Sequence, residues 1–100
     1  VKYEFTAQAR VDFLSAIEWY HEQSPAAAQK FKLRVDLVLG RIVAFPESGA
    51  LQPDGVRCVL VSGFPYLIYY FPDATPIAIV AVFHTSRAPD SWRERESPSE

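Results

Sequence analysis

The chain has 100 residues, room for one domain. Ten Lys and Arg stand against twelve Asp and Glu, and hydrophobic residues make 49% of the total, a globular composition that argues against disorder and against a broad nucleic-acid grip. No apolar run reaches the ~18 residues of a membrane helix. No basic-then-apolar leader opens the sequence, and its single cysteine, Cys58, can form neither an internal disulfide nor a zinc site. The expectation is a reduced cytoplasmic protein with no metal, no cofactor and no membrane contact.

The opening residues Val1-Lys2-Tyr3-Glu4-Phe5 alternate apolar with charged, the pattern of a half-buried strand. Thr6 stands where a helix N-cap belongs, and a helical pattern runs from Ala7 to about Gln23. Ala9, Phe13, Ala16, Ile17 and Tyr20 share one face of it. Ser24-Pro25 restarts the helix: Ser24 caps, and Pro25 suits a first position whose N–H has no partner. The second helix carries Ala28, Phe31, Val35, Val38, Leu39, Ile42 and Phe45 on its main stripe and stops at Pro46. With almost no linker, the helices form an antiparallel hairpin.

Residues 46–55 read as a loop. Three short β-rich runs follow: Val56 to Ser62, Pro65 to Phe71 and Ile77 to His84, with a turn at Pro72-Asp73-Ala74-Thr75. A single helical turn is expected over 90–95, and 96–100 form a polar tail beyond a domain of residues 1–95. The order β-α-α-β-β-β describes an α+β fold, a mostly antiparallel sheet with a helical hairpin on one face.

The last strands do not alternate polar with apolar. Tyr66, Ile68 and Tyr70 share one parity, and Leu67, Tyr69 and Phe71 the other. The final strand divides into Ile77, Ile79, Ala81 and Phe83 against Ala78, Val80 and Val82. Both faces therefore want cover, and two helices cover one. Helix two also carries a narrow second stripe of Ala26, Leu33, Leu37 and Gly40. Left open, such surface would exceed the apolar patch of a typical monomer, which points to a partner chain or a homodimer. The other reading is that the C-terminal segment folds over the second face and the leucines are scattered surface residues.

His84 ends the last strand beside a polar loop, a place where a histidine can serve as general acid or base, or simply bond the sheet edge. Arg57 lies inside an apolar strand and must snorkel outward or meet a carboxylate. Arg93 and Arg95 alternate with Glu94 and Glu96, as a solvated, self-paired face does. The sequence contains no glycine-rich phosphate loop or metal motif.

Several stretches, taken in order, resemble the RelE/ParE superfamily, the toxin halves of bacterial type II toxin–antitoxin systems, also called plasmid stabilisation proteins. They are Ala9-Arg10-Val11-Asp12-Phe13, Trp19-Tyr20, Ser24-Pro25-Ala26-Ala27-Ala28 with Phe31, and Phe45-Pro46-Glu47-Ser48-Gly49. Val56-Arg57 and Phe64-Pro65-Tyr66-Leu67-Ile68-Tyr69-Tyr70 follow, then Ile79 to Pro89 with Trp92 and Arg95. The resemblance implies the same fold, a cytoplasmic toxin, and a cognate antitoxin laid over its apolar surface, for which Leu33, Leu37, Tyr66 and Tyr70 are the candidate contacts. It also implies one of two targets. ParE-like members bind DNA gyrase, and here Arg57, Trp92, Arg93 and Arg95 are the candidate target contacts. RelE-like members cut mRNA on the ribosome with several cations, of which only His84 and Arg87 would remain as catalytic candidates. No lysine follows Lys32, a depletion that favours gyrase. A diverged, non-toxic homologue is the third reading.

Overall fold

The computed structural model describes residues 2–86. Strand β1 (Tyr3–Phe5) leads into helix α1 (Ala7–Gln23), then α2 (Pro25–Ala44). Thr6 Oγ1 accepts the Ala9 N–H at 3.2 Å, and Ser24 Oγ accepts the Ala27 N–H at 3.4 Å, so each helix begins on a side chain that satisfies an orphan amide. Ser24 alone separates the helices, and its own N–H closes α1 on the Tyr20 carbonyl at 2.8 Å. After α2 come β2 (Ala50–Leu51), a 3₁₀ turn (Pro53–Gly55), β3 (Arg57–Leu60), β4 (Tyr66–Phe71) and β5 (Ile77–His84). Strand β2 falls within the stretch expected to be loop. It is two residues long, too short for any alternation to reveal.

The strands form one sheet in the order β1-β5-β4-β3-β2, antiparallel throughout except for the parallel β1–β5 pair. The helices cover one face. Phe31, Val35, Val38, Leu39 and Ile42 of α2, with Ala9 and Ala16 of α1, pack over Val61, Ile68, Tyr70, Ile77, Ile79 and Val82.

The parity expected for β5 is corrected by a bulge. Tyr69 pairs with Ala81 but Tyr70 with Ile79, so Val80 is the extra residue. Ile77, Ile79 and Val82 therefore face the helices, while Val80, Ala81 and Phe83 join Val56 and Tyr69 on the far face. Of the two readings of this far face, the one without a partner holds: Val56, Tyr69, Val80, Ala81 and Phe83 are all buried within the single chain. The chain covers that face by itself, and the exposed apolar surface lies elsewhere, on the helices and on β2 and β3.

One contact fixes α1 on the sheet. The pairing of β1 with β5 ends at Ile79. Beyond it, Asp12 of α1 accepts the Val82 N–H through Oδ2 at 3.0 Å. A helix carboxylate thus takes over where the strand ladder stops, sparing an unpaired amide.

Candidate functional site

The residues singled out from the sequence fall at two ends of the sheet. At one end, Arg57 of β3 is half-buried and meets no carboxylate among the described residues. Its Nη1 donates to the Gly49 carbonyl at 2.8 Å. Beside it, Tyr70 Oη accepts the Gly49 N–H at 3.1 Å and donates to the Pro46 carbonyl at 2.7 Å. Residues 46–49 are thereby pinned over the sheet. Gly49 is required for that approach: a Cβ there would sit 2.7 Å from Tyr70 Oη and 3.0 Å from the Cys58 carbonyl. Tyr70 is fully buried, so its expected role as a partner contact is corrected. It holds a loop.

At the other end, His84 closes β5 and is only partly buried. Its Nδ1 accepts the Ser86 N–H at 3.0 Å and lies 2.9 Å from Ser86 Oγ. Accepting from an amide commits Nδ1 as the bare nitrogen of the neutral ring and leaves the proton on Nε2. The ring stands edge-on to Tyr66, centroids 5.4 Å apart. Tyr66 continues into an aromatic cluster with Tyr20 and Phe31, and Phe64 packs on the same two rings. Burial pushes the Tyr66 hydroxyl above its ordinary pKa, and burial followed by the neighbouring Tyr66 does the same for Tyr20. Neither tyrosine is primed to lose a proton near neutrality.

Between α2 and the β2–β3 edge runs a third feature, a groove of about 420 Å³. Leu37, Val38, Val59 and Leu60 give it an apolar lining, Arg34 and Arg41 supply positive charge, and no carboxylate lines it. Leu37 is 65% exposed and Leu60 55%. Strand β2 pairs only with Arg57 and Cys58, so among the described residues no strand lies beside the outer edge of β3 at Leu60. Cys58 also lines the groove. Burial raises its thiol pKa, opposed by a 3.4 Å contact from Gln52 Nε2. Neither the groove nor its two arginines was singled out from the sequence. The available signal was the seven-residue spacing of Arg34 and Arg41, which sets both on one flank of the Leu33–Leu37 stripe.

A family model described as the ParE toxin of type II toxin-antitoxin system, parDE, matches residues 3–89. The chain belongs to the ParE toxin family. No curated relative matches it significantly. For a ParE toxin, the stretches that carried the resemblance now have structural work: Asp12 caps β5, Ser24 and Pro25 open α2, and residues 46–49 meet Arg57 and Tyr70. Leu33 and Leu37 are exposed, as a partner contact requires, and Tyr66 is half-buried within the aromatic cluster. Arg87, Trp92, Arg93, Arg95 and the helical turn expected over 90–95 lie outside the described residues. Among the described residues no helix is long and apolar enough to cross a membrane, and no group of His, Cys, Asp or Glu could hold a metal.

Proposed function

We propose that this ParE-family toxin acts in the bacterial cytoplasm by binding DNA gyrase and is held inactive by a cognate antitoxin. The observation that carries the choice of target is the poverty of cations on the described strands that lead to His84. Across β3, β4 and β5 the one cation is Arg57, and it already donates to the Gly49 carbonyl at the far end of the sheet. Cutting RNA requires cations where charge grows on the scissile phosphate. The His84 end offers aromatic rings instead, which suit contact with a protein. Arg57, Trp92, Arg93 and Arg95 remain the proposed target contacts, with the C-terminal residues as the main ones.

The antitoxin is proposed to lay an apolar segment carrying carboxylates along the α2–β3 groove. There Leu37 and Leu60 provide the apolar contact and Arg34 and Arg41 the charge. Leu33 and Tyr66 extend that surface. The second reading, a ribosome-dependent mRNA endonuclease, rests on His84, whose ring is oriented by its Nδ1 contacts with Ser86, with Arg87 as its partner.

The test adds purified chain to gyrase with relaxed plasmid and, separately, to translating ribosomes. Accumulated gyrase-linked DNA breaks with intact mRNA are expected. Cleaved mRNA with gyrase unaffected overturns the proposal in favour of the second reading. No effect in either assay leaves the non-toxic homologue.

A further inference from the structure

The helical hairpin turns an apolar face away from the sheet, and nothing in the single chain covers it. At 100° per residue the outward stripe of α1 is Ala7, Val11, Leu14 and Glu18, and that of α2 is Leu33, Leu37 and Gly40 with Lys30 at its margin. Val11, Leu14, Leu33 and Leu37 are each more than half exposed. A Cβ built on Gly40 would meet nothing within 4 Å. One exposed leucine needs no explanation, but four large apolar side chains on adjacent helices form a patch.

The two stripes are in step. The Phe31 ring lies against both Phe13 and Tyr20, at 6.1 and 5.2 Å, so Phe31 is level with the α1 turn midway between them. Because the helices are antiparallel and rise equally per residue, Val11 is level with Leu37, Leu14 with Leu33, Ala7 with Gly40 and Glu18 with Lys30. Large residues stand beside large, small beside small, and acid beside base.

We propose that this face takes a second copy of the chain, α1 of each copy lying over α2 of the other about a two-fold axis parallel to the helices. Such an axis keeps every level. Val11 then packs on Leu37, Leu14 on Leu33 and Glu18 on Lys30, each across the interface and each twice. Ala7 opposite Gly40 lets the helices approach closely. The charges favour this arrangement, since a two-fold axis across the helices would stack each helix antiparallel on its own copy, where Glu18 of one stripe and Lys30 of the other do not meet. The area sets the strength. Helices of 17 and 20 residues present a face about 30 Å by about 20 Å, on the order of 500 Å² per copy. That falls short of the about 800 Å² per partner of a standard interface, which places the dimer among weak, concentration-dependent associations. The proposal is independent of which target the toxin meets; because Leu33 and Leu37 also belong to the proposed antitoxin surface, the dimer and the antitoxin complex exclude each other.

Sedimentation equilibrium of the full chain from about 1 to about 500 µM tests it. Wild type is expected to pass from monomer to dimer. Leu37→Glu abolishes association over this range. Glu18→Lys and Lys30→Glu each weaken it by about tenfold, because each sets two like-charge pairs across the interface. The discriminating result is rescue: an equimolar mixture of E18K and K30E, or the two changes in one chain, restores wild-type association. All three positions are exposed, so circular dichroism should report an unchanged fold. A chain that stays monomeric throughout overturns the proposal and leaves this face to the antitoxin. Association that the charge variants leave unchanged overturns it too, and moves the interface elsewhere.

Discussion

Arg57 and His84 look alike in the sequence, each a polar side chain on an apolar strand, yet they sit in opposite circumstances. Arg57 lies under the returning residues 46–49 and is spent on the Gly49 carbonyl, next to a tyrosine bonded twice to the same loop. His84 lies where β5 ends, bonded to a serine two residues on. Among the described residues, the difference is whether the chain comes back over the residue. A polar group on a strand is captured when a loop returns above it and stays available when the strand simply stops. The Arg57 end is accordingly architecture, and the His84 end is surface.

The sharpest way to break this contrast is at Tyr70. Tyr70→Phe keeps the ring and strands the Gly49 N–H and the Pro46 carbonyl. Leaving buried polar groups unpaired should cost about 1–3 kcal/mol, which for a chain of this size lowers the midpoint of thermal unfolding by several degrees. Calorimetry on the variant checks it, and an unchanged midpoint would show that the loop is held by something other than Tyr70. Arg57→Ala follows, with an expected loss of about 1 kcal/mol, since one charged donor is removed from a partly solvated carbonyl. Loss of gyrase binding on top of that destabilisation fits its proposed second role as a target contact; an unchanged midpoint would mean that Arg57 does not hold the loop, and the contrast fails. His84→Ala should be smaller still, within about 0.5 kcal/mol, as for other exposed positions. Under the gyrase reading, cells expressing it still stop growing. Loss of growth arrest with stability intact would restore His84 to an acid–base role.

The sequence exposes most of the framework because the framework is locally encoded. Thr6, Ser24-Pro25 and Pro46 mark the helix ends through capping and steric chemistry that acts within a few residues, and the three long strands show as β-rich runs between turns. What stayed hidden depends on a second piece of chain. The bulge at Val80 is a matter of register between β4 and β5, and no single strand records it. Tyr70 read as surface because its partners lie more than twenty residues away in a loop. The same is true of the site. The leucines of α2 were visible as a stripe, but the groove that joins Leu37 to Leu60 exists only once β3 lies beside α2. The far sheet face misled for a related reason: a parity count finds apolar side chains but not what closes over them.

The finest discrimination between the two ends comes from alkali. Tyr66 and Tyr20 belong to the His84 end, and burial raises both hydroxyls above the ordinary value near 10. The folded state therefore holds these protons to higher pH than the unfolded state does. Their contribution is intact below about pH 10 and is lost as pH rises through the folded-state pKa, because there the unfolded chain binds fewer protons. Urea unfolding measured from about pH 8 to about pH 11 should give a flat stability that then declines. Tyr66→Phe should flatten that decline by removing the more buried of the two titrating hydroxyls, which also acts on its neighbour. The ring and its edge contact with His84 are kept, so the effect at neutral pH should be slight. A decline as steep as wild type would mean that the alkaline limb arises elsewhere in the chain, and that the aromatic cluster is more open to water than its packing implies.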